Sequence, residues 1–151
     1  MPRPNEQAGS LEASIPASQV ASVVQELRDT YNSDKTRSKG WRLSQLNALN
    51  RMLTEGRSEL CAAMHDDVHK SDFEGFLQEI AFCQNEIYET IQELDHWMAD
   101  EVVGTGLFNA PAKSMVQKDP LGVCLVLGAW NYNVLLSLQP VSGNPKFLFA
   151  N

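Results

Sequence analysis

Two short stretches hold residue types at spacings that chemistry could use. The first is His65-Asp66-Asp67-Val68-His69. Two His four residues apart share one face of a helix, the arrangement in which HExxH sites hold zinc. Asp66 stands where such a site needs Glu, and the Asp carboxylate is one methylene too short to reach a metal-bound water. No third ligand can be identified, so the expectation is no metal: His65, His69 and Lys70 read as a charged helix end near the negative pole of the helix dipole. The second stretch is Leu127-Gly128-Ala129-Trp130-Asn131-Tyr132. Ligands of open α/β sheets bind beyond the carboxyl ends of strands. A Gly followed by Ala lets a flat ligand approach the backbone, and Asn131 offers an amide N–H that could steady a developing oxyanion. The alternative is structural, with Asn131 capping the next helix and Trp130 filling core. Cys61, Cys83 and Cys124 form no CxxC pair, and an odd number argues against a secreted disulfide scaffold. They read as small buried apolar side chains in a reducing, cytoplasmic setting. No GxGxxG and no phosphate loop is present.

The elements that must position these residues are mostly helical. Met1 to Ser14 is polar and Pro-containing and reads as a disordered tail. A first helix is expected from Ser18 to about Ser33, with Val20, Val23, Val24, Leu27 and Tyr31 on one face. A second is expected from about Trp41 to Asp67, striped by Leu46, Leu49, Leu53, Leu60 and Met64, with a bend possible at Gly56. Ser71 and Glu74 form a capping box that opens a third helix of about 28 residues, about 42 Å long. Its apolar series is Phe73, Leu77, Ile80, Ile87, Ile91, Leu94 and Met98, with Gln84 in the one polar gap. Glu79, Glu86, Glu89, Glu93 and Asp95 would form a solvated acidic face. After Val103, Gly104, Gly106, Pro111 and Pro120 break helices. Ser114 to Lys118 reads as a short edge strand. Leu121 to Gly128 is almost wholly apolar and reads as a strand buried on both faces. A further segment opens after Asn131 and stops at Pro140.

The 151 residues suit one domain. Apolar residues are 43% and charged residues 21% of the chain, an ordinary globular composition. Twelve Lys and Arg against 19 Asp and Glu give a net charge of -7, which disfavours nucleic acid as a partner. No apolar run is long enough for a transmembrane segment.

Taken in order, several motifs resemble the N-terminal part of the aldehyde dehydrogenase superfamily, class 3 type. They are Thr36-Arg37; Arg42 with Gln45-Leu46 and Leu49; Asp67-Val68-His69-Lys70-Ser71; Glu79-Ile80 and Glu86-Ile87; Trp97-Met98-Ala99-Asp100-Glu101; Pro120-Leu121-Gly122-Val123; Gly128-Ala129-Trp130-Asn131-Tyr132; and Gln139-Pro140. The resemblance covers residues 15–140 and implies an α/β fold with a Rossmann-type cofactor domain. This chain would contribute its mainly α-helical front with one or two short strands. It implies NAD(P)-dependent oxidation of aldehydes to carboxylic acids through a Cys thiolate. Asn131 would be the oxyanion donor. The backbone of Leu127, Gly128, Ala129 and Trp130 would border NAD or NADP, and Tyr132 would lie near the aldehyde entrance. Where the family has Pro after W-N-Y, Asn133 stands here, loosening the helix start or capping it. Residues 141–151 diverge, and only Gly143-Asn144 echoes the family. In the family the nucleophilic Cys and catalytic Glu lie beyond this point, so the chain is expected to be truncated, to bind the cofactor poorly and to be inactive alone. Self-association or a homo-oligomer is expected. The rival reading is a non-catalytic helical fragment that binds a partner subunit.

Overall fold

The computed structural model describes residues 16–109 and 111–143. The tail expected over residues 1–14 and the terminal apolar group Phe147, Leu148 and Phe149 lie outside the described residues.

Helix α1 spans Ala17–Asn32 with Pro16, not Ser18, at its N-cap, and the Pro16 carbonyl accepts from the Gln19 and Val20 amides. The pyrrolidine ring fixes an extended entry without needing an N–H. Its apolar face stays open to solvent. Val20, Val23 and Leu27 are each about half exposed, and only Val24 and Tyr31 are partly covered. Two contacts tie the end of α1 and the following turn to a distant segment: the Tyr31 hydroxyl donates to the Pro120 carbonyl at 2.6 Å, and Arg37 meets Asp119 at 3.2 Å.

The single helix expected over residues 41–67 is two. Helix α2 is Lys39–Glu55, with Ser38 accepting from the Trp41 amide, and α3 is Arg57–Val68. The break falls at Gly56, which caps both. A Cβ there would lie 3.0 Å from the Met52 carbonyl oxygen. The stripe itself is as expected: Leu46, Leu53 and Met64 are buried, and Leu49 and Leu60 pack against them.

The third helix begins at its capping box. The Ser71 hydroxyl accepts from the Glu74 amide, and the Glu74 carboxylate accepts from the Ser71 amide. It runs through α4 (Asp72–Gly75), one π-helical turn (Phe76–Ile80) and α5 (Ala81–Met98). The π turn carries one residue more than an α turn, so the faces before and after it are rotated relative to each other. That overturns part of the expected series. Phe73 is 69% exposed and Leu77 is exposed too, while Ile80, Cys83, Ile87, Thr90 and Leu94 form the buried line. It also removes Glu79 from the solvated acidic face, because Glu79 is fully buried. At the α3–α4 approach a Cβ on Gly75 would come within 2.9 Å of the Met64 methyl, so the glycine lets the two helices touch.

These helices enclose a core of Leu46, Leu53, Cys61, Met64, Ile80, Cys83 and Ile87, with Val134, Leu135 and Leu138 packed on its edge. Each fully buried Leu or Ile contributes about 1.5–3 kcal/mol by leaving water. Beyond α5, β1 (Glu101–Val103) pairs antiparallel with β2 (Ser114–Val116), Val102 opposite Met115. The edge strand expected over 114–118 is therefore present and shorter. The Ser114 amide donates to the Thr105 hydroxyl at 3.0 Å and ties the base of this hairpin. The chain is mainly helical with two short strands, as expected.

Leu121 to Gly128 is not the doubly buried strand that its composition suggests. No described strand pairs with it, and Leu125 and Leu127 are 84% and 85% exposed. A ladder needs a neighbour's N–H and C=O groups, and none lies alongside among the described residues. Cys124, expected to be buried, is exposed for the same reason, whereas Cys61 and Cys83 are buried as expected. After this segment come one 3-10 turn, Trp130–Tyr132, and the short helix α6, Leu135–Leu138.

Candidate active site

The Trp130–Tyr132 turn is held from below by the π turn. Because the π turn rotates Glu79 inward, its carboxylate faces the start of α6. Oε2 accepts from the Val134 amide at 2.7 Å and the Leu135 amide at 3.3 Å. These are among the first N–H groups of a helix, which have no partner within it. Oε1 pairs with the Lys70 ammonium. Lys70 Nζ also donates to the Asn131 carbonyl at 2.9 Å and lies 4.2 Å from the Tyr132 ring centroid. A buried carboxylate is tolerable when paired and hydrogen-bonded, and Glu79 is both. The Tyr132 hydroxyl donates to Gln78 Oε1 at 3.4 Å. One ion pair thus fixes the backbone on both sides of Asn131–Asn133.

The arrangement leaves Asn131 at the surface, with its carbonyl engaged and its side chain making no hydrogen bond among the described residues. It does not cap the next helix: the residue at the N-cap of α6 is Val134, with no side-chain cap. A free amide on an immobilised turn is able to donate to an anion. Leu127, Gly128 and Ala129 lead into the turn, which opens at Trp130, and all four residues are exposed. The structure gives Gly128 a reason within the chain. A Cβ there would lie 2.1 Å from Ser137 Oγ and 3.3 Å from Ser137 Cα, so α6 occupies the space a side chain would need. Asn133 ends the 3-10 turn and does not cap α6, and its Oδ1 is buried without a hydrogen-bond partner among the described residues.

The His pair is apart from this site. His69 terminates α3 in the left-handed conformation, φ 56°, which takes it off the helix face that an i, i+4 pair requires. Its ring meets His65 edge-on at 6.0 Å. Among the described residues no group of three His, Cys, Asp or Glu is placed to hold a metal.

Two thiols are unsuited to nucleophilic work. Burial pushes Cys83 up to about 11, with the nearby Glu79 and Glu86 carboxylates adding to it. Burial also raises Cys61, with the Asp72 charge reinforcing the effect. Thiolates make the attack in covalent catalysis, so neither supplies a nucleophile at neutral pH.

Lys70 and Glu79 escaped the sequence reading, which placed one at a helix end and the other in solvent. The usable signal was the spacing read backward from Leu94. Thr90, Ile87, Cys83, Ile80 and Phe76 step by four and three, a line that passes over Leu77 and sets Glu79 beside the core.

Comparison with known proteins agrees with the motifs. A model described as the aldehyde dehydrogenase family matches residues 2–143. The chain is 40% identical over 125 residues to the chloroplastic aldehyde dehydrogenase family 3 member I1 of Arabidopsis thaliana, covering 83% of this chain and 23% of that protein. It is 40% identical over 134 residues to aldehyde dehydrogenase family 3 comG of Dictyostelium discoideum, covering 89% and 28%. It is 36% identical over 126 residues to the dimeric NADP-preferring aldehyde dehydrogenase of Canis lupus familiaris, covering 83% and 28%. The solved structure of the substrate-bound state of Staphylococcus aureus AldH superposes with a TM-score of 0.80 at 25% identity, over 83% of this chain and 28% of that one. The chain therefore spans 23% to 28% of the length of these relatives. Among the described residues no helix is long and apolar enough to cross a membrane. Motif order, helical architecture and these matches agree that the chain belongs to the aldehyde dehydrogenase family.

Proposed function

We propose that this chain serves NAD(P)-dependent oxidation of aldehydes to carboxylic acids by supplying the oxyanion-binding turn. Asn131 is the donor: its side-chain amide steadies the oxygen of the aldehyde carbonyl as negative charge develops there. A donor of this kind contributes about 2.7–4 kcal/mol in acyl-transfer sites. The observation that carries the reading is the Lys70–Glu79 pair beneath the turn, which fixes the backbone around Asn131 and leaves its side chain free. Tyr132, 3.4 Å from Gln78, stands beside it at the aldehyde entrance.

The residues fit a flat polar cofactor through main-chain groups. The backbone of Leu127, Gly128, Ala129 and Trp130 pairs with no described strand, so its N–H and C=O groups are available. NAD or NADP held there supplies the hydride acceptor. Cys61 and Cys83 are buried with raised pKa values and make poor nucleophiles.

The test is the native gene product purified from its own source. It is expected to oxidise aldehydes with reduction of NAD or NADP, and Asn131→Ala is expected to lower kcat about a hundredfold. The recombinant 151-residue chain is expected to give no turnover. A native product that reduces neither cofactor overturns the reading.

The second reading, a helical fragment that binds a partner subunit, draws on one observation. The α1 face of Val20, Val23 and Leu27 and the Leu125 and Leu127 side chains are exposed. The binding chemistry would then be apolar and independent of Asn131.

A further inference from the structure

We infer that Lys70 and Glu79 are positioning residues for the reaction, a clamp that sets the direction of the Asn131 amide through the backbone that follows it. The inference rests on Asn131 being the oxyanion donor. The sequence separates the parts: Lys70 follows α3, Glu79 lies in the π turn, and the turn they hold is more than 50 residues further on. Each contact has a distinct role. Lys70 draws the Asn131 carbonyl toward α3 at 2.9 Å, which fixes the peptide plane that follows Asn131. The Glu79 carboxylate takes the Val134 amide at 2.7 Å and the Leu135 amide at 3.3 Å, which fixes where the turn hands over to α6. The ion pair joins the two anchors, so that neither moves alone.

The π turn is part of the device. Glu79 is the fourth of its five residues, and the added residue directs this carboxylate inward while its neighbours Phe73 and Leu77 face water. Gly75 immediately before it lets α4 close on Met64. An exposed salt bridge would hold little, because solvent and side-chain entropy weaken it. This pair is different: the Glu79 side chain is fully buried and that of Lys70 is 15% exposed. Oxyanion donors act only when prealigned, and a displacement of about 1 Å at such a group costs about a hundredfold in rate. The clamp provides that alignment without touching substrate.

The first arm uses the full 151-residue chain and amide NMR. Glu79→Gln keeps the shape and one acceptor and removes the charge. It is expected to shift the Val134 and Leu135 amides and the Asn131 side-chain amide, and to speed exchange at Val134 about tenfold, while the amides of Leu53 and Cys61 stay in place. Lys70→Met is expected to shift the Asn131 side-chain amide likewise, and Lys70→Arg, which keeps the charge, to restore it. An unchanged Asn131 side chain in both Glu79→Gln and Lys70→Met overturns the inference.

The second arm uses the native gene product. Glu79→Gln is expected to lower kcat about tenfold with KM within about twofold. In an Asn131→Ala background the same change is expected to cost less than about twofold, because the group it positions is gone. An equal loss in both backgrounds means that Glu79 acts elsewhere, and overturns the inference. Asn131→Ala without effect on kcat overturns the oxyanion reading instead, and the NMR arm then judges the clamp by itself.

Discussion

Gly128→Ala adds one methyl group where α6 already stands. The new Cβ would lie 2.1 Å from Ser137 Oγ, 3.2 Å from Ser137 Cβ and 3.3 Å from Ser137 Cα. The three contacts relax differently. The hydroxyl can rotate to another staggered position at little cost. The Cβ and Cα cannot, and must withdraw by a few tenths of an ångström, moving α6 with them. Overpacking of this kind costs about 1–3 kcal/mol, and the short, surface-facing α6 places the change at the lower end, about 1–1.5 kcal/mol. The assay is amide exchange at Leu138, Gln139 and Ser142, whose N–H groups bond to Val134, Leu135 and Leu138. About 1.4 kcal/mol of local opening corresponds to about tenfold faster exchange. Ser137→Ala in the Gly128→Ala background removes only the hydroxyl and should recover a small part. Ser137→Gly removes the Cβ too and should recover most, relative to Ser137→Gly alone. Exchange at Leu138 unchanged by Gly128→Ala, or a loss that Ser137→Gly fails to reduce, would refute the claim that α6 requires this glycine.

Other expected outcomes follow from the same geometry. Glu79→Leu leaves the Lys70 ammonium and the Val134 amide without their buried partner, and chemical denaturation should show a loss of about 3–5 kcal/mol; a loss under 1 kcal/mol would mean that the pair is solvated. Thiol labelling at pH 8 should modify Cys124 quickly and leave Cys61 and Cys83 unmodified in the folded chain. The raised Cys83 pKa makes the folded chain hold its proton longer than the unfolded chain. Stability is therefore unaffected below about pH 9 and falls as pH rises through about 11, and Cys83→Ala should flatten that fall. Asn133→Ala removes a buried acceptor without a partner and should stabilise the chain by about 1 kcal/mol in thermal unfolding, whereas a destabilised variant would show that Oδ1 is hydrogen-bonded. The exposed apolar row at Leu125 and Leu127 should make the chain self-associate at tens of micromolar, with Leu125→Lys raising the monomer fraction in sedimentation; a clean monomer of the unmodified chain contradicts this.

Much of the helical frame was legible because helix faces and caps are local. Ser71 and Glu74 announce their helix through four residues, and Leu46, Leu53 and Met64 declare a buried face whether or not the helix breaks at Gly56. The π turn was not legible as such, since the sequence around Phe76–Ile80 also fits a regular helix, with Phe73 and Leu77 the more obvious apolar pair. Tertiary contact with Met64 and the α6 start decides between the two. Leu121 to Gly128 failed for the opposite reason. Its composition describes a strand inside a sheet, and strand formation depends on neighbours that no local pattern supplies. At the candidate site, the turn around Asn131 stood out as a motif, while the pair beneath it was hidden because Lys70 reaches the Asn131 carbonyl across 61 residues and Glu79 reaches the Val134 amide across 55.

Those separations also set an order of assembly. The contacts of α4 with α3 and of the π turn with its flanking helices link residues close in sequence, and such contacts form early because little chain must be closed into loops. The ties to the later segment do not: Arg37 with Asp119 and Tyr31 with Pro120 span 82 and 89 residues. During synthesis the helices emerge first and domains fold from the N-terminal side. The Glu79 carboxylate is thus exposed in a nascent helical unit before Asn131 has been made. The turn that carries Asn131 is shaped against a surface already built, and an error in the π turn is inherited by the site as a change of direction rather than as a failure to fold.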